Sequence, residues 1–404
     1  MTFKFIHMKY NLLTLAAVFF VISCSQKQNA DEVSSEKVVE AAFFTANPQD
    51  VPEQEVTTLK VGEKAPDFNL PGTDGRFWQL SDFDDAEVLV IIFTCNHCPT
   101  AQAYEDRMIQ MTNDYKDKGV QVVAISPNSI NGLLLNELGW SDMGDSFEDM
   151  IVRVKDKGYN FPYLYDGDDH AVSIQYGPVA TPHAYVFDKD RMLTYVGRLD
   201  ALERPEKGGN SEDLRAALDA TLKGQPVENP TTKTFGCSIK WAWKSDYAIQ
   251  VNKEWSEKEV TLEEIDSDGI KAMLKNDTED FRLVNIWATW CGPCVIEYPD
   301  FVDIHRMYSH RGFEFVSVSA DNLASKDKAL KFLKKKNSAV TNYIFSEEDK
   351  YALIEAVDPE WDGALPYTVL LEPGGKVVYK KMGSVDPFEL KKTIVEQPSM
   401  GRYF

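Results

Sequence analysis

Side chains able to do nucleophilic, redox or metal chemistry are scarce in this 404-residue chain, which has six cysteines and six histidines. Cations are in deficit too, with 43 Lys and Arg against 64 Asp and Glu, a net charge of −21. That balance excludes nucleic acid as a partner, because phosphates are repelled and no basic stripe offsets the charge. Residues 334–336, a run of three lysines, read as the solvated end of a helix. No long apolar run is present either. Residues 12–22 are apolar apart from Thr14, and a membrane-spanning helix needs about 20 such residues. Residues 166–169 are acidic but lack the ligand spacing of a calcium loop, so no metal is expected there. Disorder of the whole chain is excluded by 43% hydrophobic and 12% aromatic content. The length suits two or three domains.

What is present begins with a processing signal. Lys4 and Lys9 precede the short apolar run, which ends in Val21-Ile22-Ser23-Cys24. A charged start and a short apolar core are the features of a secretory signal. The terminal tetrapeptide resembles a bacterial lipobox, which implies a lipid on Cys24, anchorage to a membrane and an exported, periplasm-facing protein. Residues 1–24 are thus read as signal, and the polar residues 25–57 as a flexible tether.

The remaining five cysteines are distributed tellingly. Cys95 and Cys98 form one Cys-x-x-Cys pair and Cys291 and Cys294 another, with Cys237 between them. A shared zinc site would place its pairs about 15–20 residues apart, far closer than these, so two separate redox pairs are the better reading. Each pair follows an apolar run of the kind expected for a buried strand, residues 88–93 and 283–288. Each precedes a helical pattern: Tyr104, Met108, Met111 and Tyr115 in one case, Val295, Tyr298, Val302 and His305 in the other. Further strands, helices and a late Thr181-Pro182 or Leu365-Pro366 repeat in the same order. Ser211 reads as the cap of a helix with Leu214, Leu218 and Leu222 inward, and Asp386-Pro387 as a second helix start. The expected fold is mixed α/β, built twice.

The motifs carry a resemblance. WATWCGPCVIEYP and GALPYTVLLEPGGKVV resemble the TlpA/ResA branch of the thioredoxin superfamily. VGEKAPDFNLPGTDGR, TCNHCPTAQAYEDR, GRLDA and FGCSIKW resemble its redoxin, or AhpC/TSA, branch. The resemblance implies a redoxin-like domain over 58–243, a linker at 244–259 and a TlpA/ResA-like domain over 260–404. It implies a central mixed sheet flanked by helices in each domain and a thiol–disulfide oxidoreductase. It also makes Pro182 and Pro366 cis-prolines that offer a free backbone edge to a substrate strand. Trp290 matches the aromatic residue beside the nucleophile, with Thr94 in its place in the first domain. Pro299 matches a helix-kinking proline, for which the first domain has Ala103. Asn285 and Leu89 stand where cytosolic thioredoxin keeps a buried Asp.

Only a thiolate attacks a disulfide, and a helix N-terminus lowers a thiol's pKa. Cys95 and Cys291 are therefore expected to attack, and Cys98 and Cys294 to resolve the mixed disulfide. No cofactor beyond these cysteine pairs is expected. The partners implied are protein thiols or disulfides of the cell envelope and an envelope electron donor. His97, directly before Cys98, resembles the oxidising DsbA dipeptide, so the first pair should have the higher reduction potential. Cys237 is read as either a relay cysteine or a buried structural thiol, with Trp241 and Trp243 as packing. Glu297 is read as an exposed helix position, and His183 and Arg198 as ordinary strand residues. Two alternatives remain. Cys98-Pro99-Thr100 resembles a peroxiredoxin segment, although Cys95 and Ile91 replace the Thr and Pro of that motif. A redox-silent binding protein would use the fold alone.

Overall fold

Apolar runs and helical faces place the same cycle of elements twice along the chain. The structure, a computed structural model, describes residues 50–203 and 209–401. The expected signal at 1–24, with Cys24, and most of the expected tether at 25–57 lie outside the described residues. A hairpin of β1 (Asn69–Pro71) and β2 (Phe77–Gln79) leads in. The first domain then runs β3 (Val88–Phe93), α1 (Pro99–Tyr115), β4 (Val120–Ser126), α2 (Phe147–Lys157) and β5 (Tyr163–Tyr165). It ends with α3 (Ser173–Tyr176), β6 (His183–Phe187), β7 (Leu193–Gly197) and α4 (Glu212–Leu222). The second domain runs β8 (Glu263–Ile265), α6 (Ser267–Lys275), β9 (Phe281–Trp287), α7 (Gly292–Tyr308), β10 (Phe313–Ser319) and α8 (Lys326–Lys335). It continues with β11 (Thr341–Phe345), α9 (Lys350–Val357), β12 (Tyr367–Leu371), β13 (Val377–Met382) and α10 (Pro387–Val395). Between the domains lies a helix, α5 (Ser245–Ser256), in the stretch read from sequence as a linker.

The first sheet has the order β5-β4-β3-β6-β7 and the second β13-β12-β9-β10-β11-β8. Crossover helices connect the parallel strands β3, β4 and β5, and likewise β9 and β10. Each central strand, β3 or β9, pairs antiparallel on its other side with the strand that follows a late proline. Helices cover both faces, so β3 is buried at every position, as its VLVIIF sequence requires. This is the mixed α/β architecture expected for both halves. One local expectation fails. Ser211 precedes α4 with a left-handed φ of 59° and makes no side-chain cap. A cap hydroxyl reaches the helix N–H groups from extended backbone, which Ser211 lacks.

The described residues form one compact unit, because the first domain inserts part of itself into the second. Leu138 is 8% exposed and belongs to the core around Met307 and Tyr308, with Leu133 and Leu135 packed against it. Tyr308 Oη donates to the Ser141 carbonyl at 2.6 Å, and the Arg311 guanidinium lies 3.3 Å from the centre of the Trp140 ring. Replacing Leu138 by Ala removes apolar burial on both sides of the junction. It should lower stability by about 2–3 kcal/mol. Urea unfolding followed by tryptophan fluorescence should show the loss in the second domain's transition as well as the first's.

Candidate active sites

Register brings each proline edge to its cysteines. Phe93 pairs with His183 at the ends of β3 and β6. One step further along both strands, Thr181-Pro182 faces the turn that holds Cys95. Cys95 Sγ accordingly lies 3.1 Å from Thr181 Oγ1, and Cys98 Sγ lies 3.3 Å from the Thr181 carbonyl oxygen. In the second domain Ile286 pairs with Tyr367, which sets Leu365-Pro366 beside the Cys291 turn. Both X-Pro bonds are cis.

The helix starts differ. In the second domain Cys291 is the N-cap of α7 and its sulfur accepts from Cys294 N at 3.3 Å. In the first domain the chain stays non-helical through residue 98, and Cys98 is the N-cap of α1, accepting from Ala101 N at 3.4 Å. The expectation that Cys95 sits at the helix start is therefore corrected. The cause is the turn at residues 96–97, whose N–H groups both point at Asp145 Oδ1, at 2.9 and 3.0 Å, instead of opening a helix. Burial raises the Cys95 thiol well above its ordinary value, with help from Cys98 and Asp145. Burial works against ionising Cys98 too. The hydrogen bonds from Cys237 and Cys95, the His97 charge and the Ala101 N–H outweigh it and hold Cys98 well below its ordinary value.

His97 is a buried residue. It is 1% exposed, and its Nδ1 meets Asp145 Oδ2 at 2.6 Å, with Asn128 Nδ2 donating to the same oxygen at 2.7 Å. Burial alone would keep His97 neutral, but the Asp145 carboxylate raises its pKa, and the His97 charge and hydrogen bonds in turn lower that of Asp145 against burial. Ligand atoms of Cys95, His97 and Asp145 lie within 4.8 Å of one another, a grouping that sequence spacing did not reveal. A cation there would have to replace the His97–Asp145 bond.

The second site is open. Trp290 is 68% and Ile296 80% exposed beside a disulfide-bonded Cys291–Cys294 pair. Its turn hangs from Asp321, which accepts from Thr289 N and Thr289 Oγ1, both at 2.8 Å. Asn285 is buried and donates to Thr368 Oγ1 at 3.0 Å.

Comparison with known proteins agrees with this geometry. The AhpC/TSA family matches residues 61–196 and the redoxin family residues 251–395. The chain belongs to the thioredoxin superfamily, as an AhpC/TSA domain followed by a redoxin domain. Its enzyme class is thiol–disulfide oxidoreductase. It is 28% identical to the thiol-disulfide oxidoreductase ResA of Bacillus cereus, over 33% of this chain and 71% of that protein. It is 35% identical to a protein of Buchnera aphidicola described as a peroxiredoxin, bcp, over 20% of this chain and 50% of that one. Among solved structures, an uncharacterized conserved protein from Geobacillus kaustophilus is 38% identical, covering 47% of this chain and 96% of that one at a TM-score of 0.41. A thiol:disulfide interchange protein of the thioredoxin family from Chlorobium tepidum is 15% identical, covering 41% and 99% at 0.31.

In this tandem thioredoxin-superfamily chain, Pro182 and Pro366 stand beside the cysteines, and Trp290 flanks Cys291. Cys237 joins Cys95 and Cys98 in one cluster. His183 is held neutral by burial, with a pKa lowered to about 3, and Arg198 pairs with Asp213 at 2.7 Å. Trp241 and Trp243 stack at 4.8 Å. Glu297 is corrected. It is 6% exposed, its Oε2 accepts from Val385 N at 2.9 Å, and burial pushes its carboxyl up to about 7. Its signal was in the sequence, since Glu297, Phe301, Ile304 and Tyr308 follow the spacing of one buried helix face.

The His97–Asp145 pair has a defined pH window. A lowered carboxylate pKa stabilises the fold above its ordinary value, 3.8, and the benefit is lost as pH falls through the folded value. A raised imidazole pKa stabilises it below 6.5, and the benefit is lost as pH rises through the folded value. Asp145→Asn should therefore cost about 3 kcal/mol between those limits and less outside them. The same variant should raise the pKa of Cys98, read as ultraviolet thiolate absorbance against pH.

Proposed function

We propose that this chain exchanges disulfides with protein partners in the bacterial cell envelope, held to the membrane by a lipid on Cys24. The observation that carries this reading is the exposed Trp290 and Ile296 rim around a cysteine pair that caps a helix beside a cis-proline. Cys291, 6% exposed against 1% for Cys294, attacks the incoming disulfide, and Cys294 resolves the mixed species. Glu297, one helical turn beyond Cys294, is a proton donor and acceptor suited to neutral pH. The cysteines are the redox groups, so the exchange calls for no further cofactor. An envelope electron donor keeps the pairs turning over, since that compartment is oxidising.

The first site has the higher reduction potential on this reading, because a thiolate stabilised at Cys98 stabilises the reduced pair. A gap of about 50 mV would favour electron flow from the second pair to the first by roughly 2 kcal/mol. A second reading, peroxide reduction at Cys98, is favoured by the backbone N–H groups of Ala101 and Cys237 that converge on its sulfur, at 3.4 and 3.3 Å. Rapid consumption of hydrogen peroxide by Cys95→Ser would support it, and inertness would remove it.

Cys294→Ser should accumulate mixed disulfides through Cys291 when exposed to envelope extract, and Cys291→Ser should abolish them. Trapping by neither variant would defeat the proposed activity of the second site. Equilibrating the intact chain with glutathione mixtures, then alkylating and mapping each pair, should place the first pair at the higher potential. Equal or inverted values would refute that order. Glu297→Gln should erase a titration near pH 7 from the rate of Cys291–Cys294 exchange while leaving the disulfide able to form.

A further inference from the structure

What covers the first site is the chain itself. Residues 230–242 cross from β7 over the cysteines: Thr231 bridges Val196, Cys237 bridges Thr181, and Lys240 O accepts from Ser129 N at 2.8 Å. Thr181 N donates to Cys237 O at 2.9 Å, an antiparallel bridge on the backbone edge next to Pro182. That edge is where a thioredoxin-like domain would receive a substrate strand. Gly236, at φ 134°, permits the approach, since a Cβ there would lie 1.9 Å from the Thr181 carbonyl oxygen. Cys237 N then donates to Cys98 Sγ at 3.3 Å, and Cys237 packs on Cys95, Cys98 and Ala101. Beneath this strap Cys95 and Cys98 are 3% and 0% exposed.

We propose that residues 236–238 are a tethered substrate strand and that Cys237 is a third redox cysteine of the first site, forming a reversible disulfide with Cys98. The proposal rests on the first domain being a thiol–disulfide site. The strap lifts and the Cys98 thiolate attacks an external disulfide R–S–S–R′, forming Cys98–S–S–R and expelling R′–S⁻, which takes a proton. The strap returns and Cys237 gives up its proton. Its sulfur attacks Cys98 Sγ, the Cys98–Cys237 bond forms, the bond to R breaks, and R–SH leaves. Two thiols are oxidised and one external disulfide is reduced. Cys237 waits in its protonated form because its hydrogen bond to Cys98, followed by burial, pushes its pKa far up while Cys98 carries the charge. Once Cys98 is in a disulfide, that charge is gone.

The test uses the full chain carrying Cys95→Ser, treated with oxidised glutathione, alkylated and mapped by mass spectrometry. A Cys98–Cys237 linked peptide is the expected product. A lasting Cys98–glutathione adduct with alkylated Cys237 overturns the proposal while leaving the exchange activity of Cys98 intact. Failure of Cys98 to react at all, together with no Cys95–Cys98 disulfide in the unsubstituted chain, overturns both. Adding Cys237→Ser should prolong the glutathione adduct by about tenfold, because the internal thiol acts at high effective concentration. Gly236→Val should push the strap off the edge and speed maleimide labelling of Cys98 by about tenfold. Unchanged labelling in a variant with unchanged circular dichroism also overturns the proposal.

Discussion

The antiparallel pairing of each central strand with the strand after its cis-proline is the constraint on which both sites depend. Cysteine turn and proline edge lie far apart in the chain, 86 residues apart for Cys95 and Thr181. Pairing Phe93 with His183, or Ile286 with Tyr367, leaves no choice about what faces the turn. Slipping either pair by one residue would turn the strand's side chains to the wrong face and move the proline off the sulfurs. In the second sheet that register is held by Asn285, whose amide donates to Thr368 Oγ1 directly opposite it.

On that shared frame the two turns acquire different electrostatics from one aspartate each. Asp321 accepts from Thr289 and leaves the next residues free to begin a helix at Cys291. Asp145 takes the N–H groups of Asn96 and His97 as well as the imidazole, so the helix waits until Cys98. Negative charge at sulfur is thereby favoured on the second cysteine of the first pair, away from the Cys95 position that cysteine spacing alone suggests. Position in the motif sets which thiols can pair, and the hydrogen bonds of the turn set which of them ionises.

Much of this was legible in the residues. VLVIIF gives β3 to the residue, and Asp386 caps α10 with Pro387 at its first position, as the local chemistry dictates. Both late prolines, read through resemblance, are cis. The misses are long-range. Asp145 lies 48 residues beyond His97, and nothing local marks it as the imidazole's partner. The strap that sets Cys237 on Thr181 closes across 56 residues of sequence, through backbone groups that every residue possesses. Residues 244–259 read as linker because neither resemblance reaches them, yet Ser245–Ser256 forms α5, beside the segment that carries Leu133 and Leu138 into the second core. Glu297 differs for another reason: it is a charged residue on a buried helix face.

The junction between domains bears on how electrons could pass from one pair to the other. Helix α7 starts at Cys291 and ends at Tyr308, about 25 Å away at the usual rise. The end that reaches the first domain is the Tyr308 end, whose hydroxyl binds the Ser141 carbonyl. Gln102 Nε2 in turn donates to the Ser141 hydroxyl at 2.9 Å and to the carbonyl of Asn96, between the first pair of cysteines, at 2.7 Å. The helix that carries one cysteine pair therefore braces the turn that carries the other, with its own sulfurs at the opposite end. Such an arrangement links the sites mechanically rather than by sulfur contact along α7. It leaves one pair open behind Trp290 and the other closed beneath residues 236–238.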